Sequence, residues 1–204
     1  QGEAMSEPKE GLLTFRAEGN NFRGSRYYSR VIHWPGHASA CQGDASGVTI
    51  GRGFDMGSRT TAESRSYLIK AGIAAEKAEK ISTGSRLKFC EAEKFVRQHK
   101  NEIGEITELQ QLMLFEAVYP EYVNKAKRFY NKYKGANAVA WRELHPVLKE
   151  VFIDMRYQGA MTIGYVSSFK RNEIGSALKL IESIGSLYGK DRYIRRREAL
   201  KNAL

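Results

Sequence analysis

Three side chains near the front of the chain could carry chemistry together: Glu18, closing LLTFRAEG, and Thr49 and Asp55, within SGVTIGRGFDMG. The second stretch, Ser46–Gly57, sets four glycines around Val48 and Ile50, a pattern that reads as a short strand running into a tight turn. On such a turn Thr49 and Asp55 project at defined places, and Gly51 and Gly53 let a bulky ligand approach the backbone. Two carboxylates on different elements, facing one cleft, are what glycosidic-bond hydrolysis needs. One protonates the leaving oxygen and the other activates a water or attacks the sugar. Plainer readings fit the same residues: Asp55 could cap a helix starting near residue 58, and Glu18 could be a solvated glutamate at a helix end, where the dipole disfavours it by about 0.3–1 kcal/mol.

The elements that must position these groups follow from periodicity. EGLLTFRAEGNN (Glu10–Asn21) predicts a short helix that stops at Gly19-Asn20, with Glu18 in its last turn. Residues 20–57 are rich in glycine and aromatics and predict hairpins and loops, a β lobe that serves as one wall of a cleft. From Thr60-Thr61 onward, apolar residues recur at helical spacing. Helices are expected over residues 60–71, 74–82, 89–102, 105–116, 120–134, 138–157, 170–185 and 189–202. The expected class is mostly α (α+β). Residues 1–8 read as a linker or appended remnant and residues 9–204 as one domain, with a β lobe at about 20–57 and a helical body at about 58–204.

Composition narrows the partners. The 204 residues include 33 Lys and Arg against 23 Asp and Glu, a net charge of +10 that attracts polyanions: nucleic acid, anionic membrane or bacterial wall. The excess is dispersed, with one dense run in RYIRRREALKNAL. That spread argues against a shaped nucleic-acid groove. No apolar run is long enough to span a bilayer, and QGEAMSEPKEG lacks the apolar core of a secretory signal. Cys41 and Cys90 could form one bridge or stay as free thiols.

Other candidate sites read as structural. His33, His37 and Cys41 recur at four-residue intervals, as in some metal sites, but Pro35-Gly36 breaks any helix that would align them and no second ligand pair follows. No metal and no cofactor are expected. RFYNKYKG interleaves aromatic and basic residues as nucleic-acid binders do, yet it equally gives one core-facing helix stripe with lysines outside. The arginines at 195–197 fit a solvated face, a helix-end charge complement or a patch for anionic wall polymer.

FRAEGN followed by SGVTIGRGFDMG resembles the phage-type lysozymes and, more closely, the pesticin-like lysozyme toxin domains. VFIDMRYQGA (Val151–Ala160) resembles their central helix, and RYIRRREALKNAL their closing helix, in the expected order. The resemblance implies a lysozyme-like fold with a cleft between β lobe and helical body, acting as a muramidase on peptidoglycan glycan strands. It implies Glu18 as general acid, Thr49 as the hydroxyl that helps hold the attacking water, and Asp55 as the carboxylate that activates or orients it. In the endolysin branch the aspartate precedes the threonine, which makes Asp44 the rival second carboxylate. Tyr157 and Gln158 are implied as cleft-lining, substrate-binding residues, and inversion as the stereochemical outcome. An acid working near neutral pH must have its pKa raised from about 4.3 by burial, while the aspartate stays ionised.

The resemblance further implies a monomeric bacteriocin or secretion-system effector, secreted or delivered into the periplasm of a target bacterium and plugged by an immunity protein in its producer. No nucleic-acid partner and no membrane span are expected. The alternative from another class is a non-catalytic basic module with a lysozyme-like fold that binds cell wall or nucleic acid.

Overall fold

A computed structural model describes residues 7–204, so most of the expected 1–8 linker lies outside the described residues; Pro8, within them, is buried. The chain divides into two compact units. The first is Glu18–Val118 with residues 7–9, and the second is Glu10–Ala17 with Tyr119–Leu204. The division falls inside a helix, after Val118, and not at the end of the expected β lobe. Helix predominates, with one small antiparallel sheet among the described residues, in keeping with the mostly α, α+β class.

In the first unit, β1 (Thr49–Ile50) and β2 (Phe54–Asp55) form a hairpin in which Thr49 opposes Asp55 and Ile50 opposes Phe54. Its turn, Gly51-Arg52-Gly53, holds both glycines at positive φ (68° and 85°), a conformation that costs a side-chain-bearing residue about 1 kcal/mol or more. Alternation then sorts the side chains. Val48, Ile50, Phe54 and Met56 sink into the core, and Thr49 and Asp55 take the other face.

Arg59 joins the hairpin to the helix that follows. Its guanidinium lies 4.8 Å from the Phe54 ring centre and 5.2 Å from that of Tyr67, and it pairs with Glu63 at 2.9 Å. Helix α1 (Thr61–Lys70) starts where expected because the Thr60 hydroxyl accepts the Glu63 amide at 3.0 Å. Helices α2 (Ala75–Ser82) and α3 (Phe89–Ile103) follow, and a disulfide between Cys41 and Cys90 ties the 3-10 turn Ala38–Gly43 to the start of α3.

The expected helices 105–116 and 120–134 are one helix, α4 (Glu108–Tyr133), running through Pro120. Proline removes the amide that would bond the Glu116 carbonyl. Both residues are exposed, so water can take that carbonyl and the helix continues. At its start the Thr107 hydroxyl accepts the Gln110 amide and the Gln110 side chain accepts the Thr107 amide, a reciprocal cap.

The second unit contains Leu12–Ala17 as a short helix, the C-terminal part of α4, α5 (Pro146–Gln158), α6 (Ile174–Ile184) and α7 (Lys190–Asn202). The expected 138–157 helix begins later because Pro146 occupies its first turn and the His145 ring accepts the Val147 amide. Phe152 is the aromatic hub, with Tyr130, Trp141 and Phe169 edge-on to it at 5.7, 5.5 and 5.2 Å. Of the aromatic stripe of RFYNKYKG only Tyr130 joins the core, fully buried with its hydroxyl donating to the Val139 carbonyl, while Phe129 and Tyr133 are half-buried.

Candidate active site

Backbone register places the site. His33 and Thr49 exchange both backbone hydrogen bonds, at 2.8 and 2.9 Å, and Thr49 is in turn the cross-strand partner of Asp55. The Met56 amide donates to the Val48 carbonyl at 2.9 Å, which marks Thr49 and Asp55 as the closer, non-hydrogen-bonded kind of pair. Directly opposed residues on neighbouring strands share a face. His33, Thr49 and Asp55 thus form a lateral row on the hairpin face away from the Val48 and Ile50 core.

Each member is fixed. The Thr49 hydroxyl donates to the Gly47 carbonyl at 3.1 Å, which commits its proton and leaves its lone pairs to accept. The Asp55 carboxylate accepts the Gly57 amide at 2.7 Å on Oδ1 and the Gly47 amide at 3.2 Å on Oδ2. Asp55 does not cap the following helix, which is the work of Thr60. A side chain at Gly47 would collide with the Asp55 carboxylate and the Gly57 backbone, so this glycine is required by close approach and not by its dihedrals.

The His33 ring donates from Nδ1 to the Val31 carbonyl at 2.9 Å, leaving Nε2 as an acceptor in the neutral ring. Burial lowers its pKa from the ordinary histidine value. Its bond to Val31 and the charge of Asp55 pull the other way, and Lys100 adds to the lowering.

Glu18 sits half-buried just past the helix Leu12–Ala17. The next residue, Gly19, has φ 109°, and a Cβ there would meet Ser29 Cβ at 2.7 Å. Arg52, in the hairpin turn, donates to the Gly19 carbonyl at 3.3 Å, so the residue after Glu18 is tied to the hairpin that bears Thr49 and Asp55. Beneath that tie, the Ser29 hydroxyl is 2.6 Å from Gln111 Oε1, and the Gln111 amide donates to Asn21 at 3.0 Å. Gln111, almost fully buried, anchors the segment after Glu18 to α4.

Asp44 lies outside the row. It closes the Ala38–Gly43 turn, and its Oδ1 accepts the Ser46 amide at 2.9 Å and the Ser46 hydroxyl at 2.6 Å. Cys41 is spent in the disulfide, and His37 faces Arg26. Among the described residues no three His, Cys, Asp or Glu side chains gather as a metal group.

Tyr157 and Gln158 belong to the second unit. Tyr157 is buried with its ring 4.2 Å from that of Tyr122. Both ends of the Gln158 amide are engaged: Nε2 donates to the Tyr188 carbonyl and Oε1 accepts from Arg196, each at 2.6 Å. Arg196 and Arg192 also bind the fully buried Asp154 at 2.7 and 2.8 Å, and Thr14 donates to it at 2.8 Å. Burial works to raise the Asp154 pKa, but the two arginines and the Thr14 hydroxyl outweigh it and hold the carboxyl below the usual aspartate range. The arginine run therefore splits: Arg196 is internal, and Arg195 pairs on the surface with Asp191.

Sequence reasoning passed over His33, Arg52 and Gln111 as partners of the site. The one signal for His33 was its place in an apolar stretch, VIHW, ahead of the hairpin; its pairing with Thr49 is a matter of register, which residue types do not specify.

Fold and site together define a mostly helical α+β protein with a polar row displayed on a short hairpin. The chain belongs to the family described as Domain of unknown function (DUF8812), which matches residues 11–182 and so includes Glu18, Thr49, Asp55, Tyr157 and Gln158. No curated protein matches the chain.

Proposed function

We propose that the protein is a lysozyme-like peptidoglycan hydrolase, a muramidase that cleaves the β-1,4 bond between N-acetylmuramic acid and N-acetylglucosamine. The observation that carries this reading is the register of the hairpin: Thr49 and Asp55 oppose each other on one face, and Arg52 in the same hairpin binds the carbonyl next to Glu18. Glu18 protonates the leaving glycosidic oxygen. Thr49, its own proton committed to Gly47, accepts a hydrogen from the attacking water, and the clamped carboxylate of Asp55 orients that water. No cofactor enters this scheme.

The Cys41–Cys90 bridge supports an oxidising place of work, such as the periplasm of a target bacterium reached by a bacteriocin or a secretion-system effector. Such a toxin is a monomer held in check by an immunity protein that plugs the cleft.

A second reading is a basic wall-binding or nucleic-acid-binding module without catalysis. The observation that favours it is the full engagement of Asp55 by two backbone amides, a structural job that an inert hairpin would also need. Incubation with purified peptidoglycan decides between them. New muropeptides ending in reducing N-acetylmuramic acid are the muramidase result, and wall binding with no new ends is the result of the second reading.

A further inference from the structure

The row does not end at Asp55. We propose that His33 is the proton acceptor of the site, taking the proton of the water held at Thr49, while Asp55 serves as a fixed charge. The inference rests on the muramidase reading and assigns a further residue to that reaction.

Three observations converge on it. First, His33 is the direct partner of Thr49 on the side opposite Asp55, so the threonine hydroxyl stands between an imidazole and a carboxylate. Second, Nδ1 of His33 is spent on the Val31 carbonyl, which fixes the tautomer and turns the basic Nε2 lone pair to the other side of the ring. Third, both Asp55 oxygens accept a backbone amide, which pins the carboxylate in place as a fixed group of the row. From across Thr49, the Asp55 charge favours the imidazolium. The charged groups that face His33 are Asp55 of β2 and Lys100 of α3; the first favours the protonated ring and the second opposes it.

The step balances. The bond from water oxygen to the anomeric carbon forms as the bond from that carbon to the glycosidic oxygen breaks. The Glu18 proton goes to the leaving oxygen, and the water proton goes to His33 Nε2, which later returns it to solvent. A ring held neutral by burial suits this acceptor role at neutral pH and loses it as pH falls.

The test compares wild type with His33→Ala and His33→Gln on purified peptidoglycan, with melting curves alongside. The expected result is a fall in kcat of about 100-fold or more in both variants with KM within about threefold, partial rescue of His33→Ala by added imidazole, and loss of the wild-type acid limb in His33→Gln. His33→Gln with wild-type kcat and an unchanged acid limb overturns the proposal. So does a loss of rate without rescue and with the acid limb intact, since that is the mark of a structural role. A wild type that releases no reducing ends at any pH sinks the muramidase reading itself. Proton NMR titration of the His33 ring then tests the row alone: Asp55→Asn must lower the His33 pKa if the two groups face each other, and no change refutes the juxtaposition.

Discussion

The Asp55 carboxylate fills the space that a side chain at Gly47 would need, and it binds the Gly47 amide from that position. The two residues are one fastening, and a change at either is felt at the other. Gly47→Ala forces the carboxylate off the Gly57 amide or pushes β1 from β2. The expected cost is about 1–3 kcal/mol in urea unfolding, together with loss of whatever activity the hairpin supports. A Gly47→Ala protein with wild-type stability would show that the hairpin yields more easily than this packing allows.

Asp44 and Asp55 are separable for the same reason. Asp44→Asn keeps an oxygen for the Ser46 amide and hydroxyl and is expected to change stability by less than about 0.5 kcal/mol. Asp55→Asn places an NH2 group against a backbone N–H and is expected to cost about 1–3 kcal/mol. Rates for both are to be compared well below the melting point of the weaker variant. Asp55→Asn should lose several orders of magnitude and Asp44→Asn less than about threefold; the reverse order would transfer the role to Asp44.

Asp154 gives the second unit a defined acid limit. Its folded pKa lies below the unfolded aspartate value of about 4, so the folded state binds fewer protons there than the unfolded state. The sign follows: its contribution is complete above about pH 4 and is lost as pH falls through the folded value. Asp154→Asn should flatten the drop in melting temperature below pH 4. At pH 7 it should cost about 3–5 kcal/mol, because Arg192 and Arg196 are left buried without their counter-charge.

The Cys41–Cys90 bridge closes a loop with a sequence separation of 49 residues that contains the whole hairpin. Chain-entropy reasoning gives such a loop about 4 kcal/mol. Cys41→Ser with Cys90→Ser, or wild type in reductant, should unfold at correspondingly lower urea. Equal stability of the reduced and oxidised protein would refute that contribution.

Much of the helical framework was legible because capping and apolar periodicity are local. Thr60 marked the start of α1, and Asn202 closes a helix expected to end there. The break expected between residues 116 and 120 does not form: α4 runs through Pro120, which is tolerated because the Glu116 carbonyl it orphans faces water. The arginine run looked like surface, because only the fold reveals that Arg196 lies one turn from Arg192 over a buried aspartate. Within the site, Thr49 and Asp55 announced themselves through the glycines that shape their turn. His33 did not, because the partner of Thr49 is fixed by the path of a loop and not by any motif.

The central claim is that Glu18 is an acid acting on a glycosidic bond, and Glu18→Gln tests it most directly. Reducing ends released from purified peptidoglycan should rise with wild type. With Glu18→Gln the rate should fall by about 1,000-fold or more, while wall binding and melting temperature stay near wild type. Equal release by the two proteins, or none from a folded wild type that still binds walls, would contradict the account.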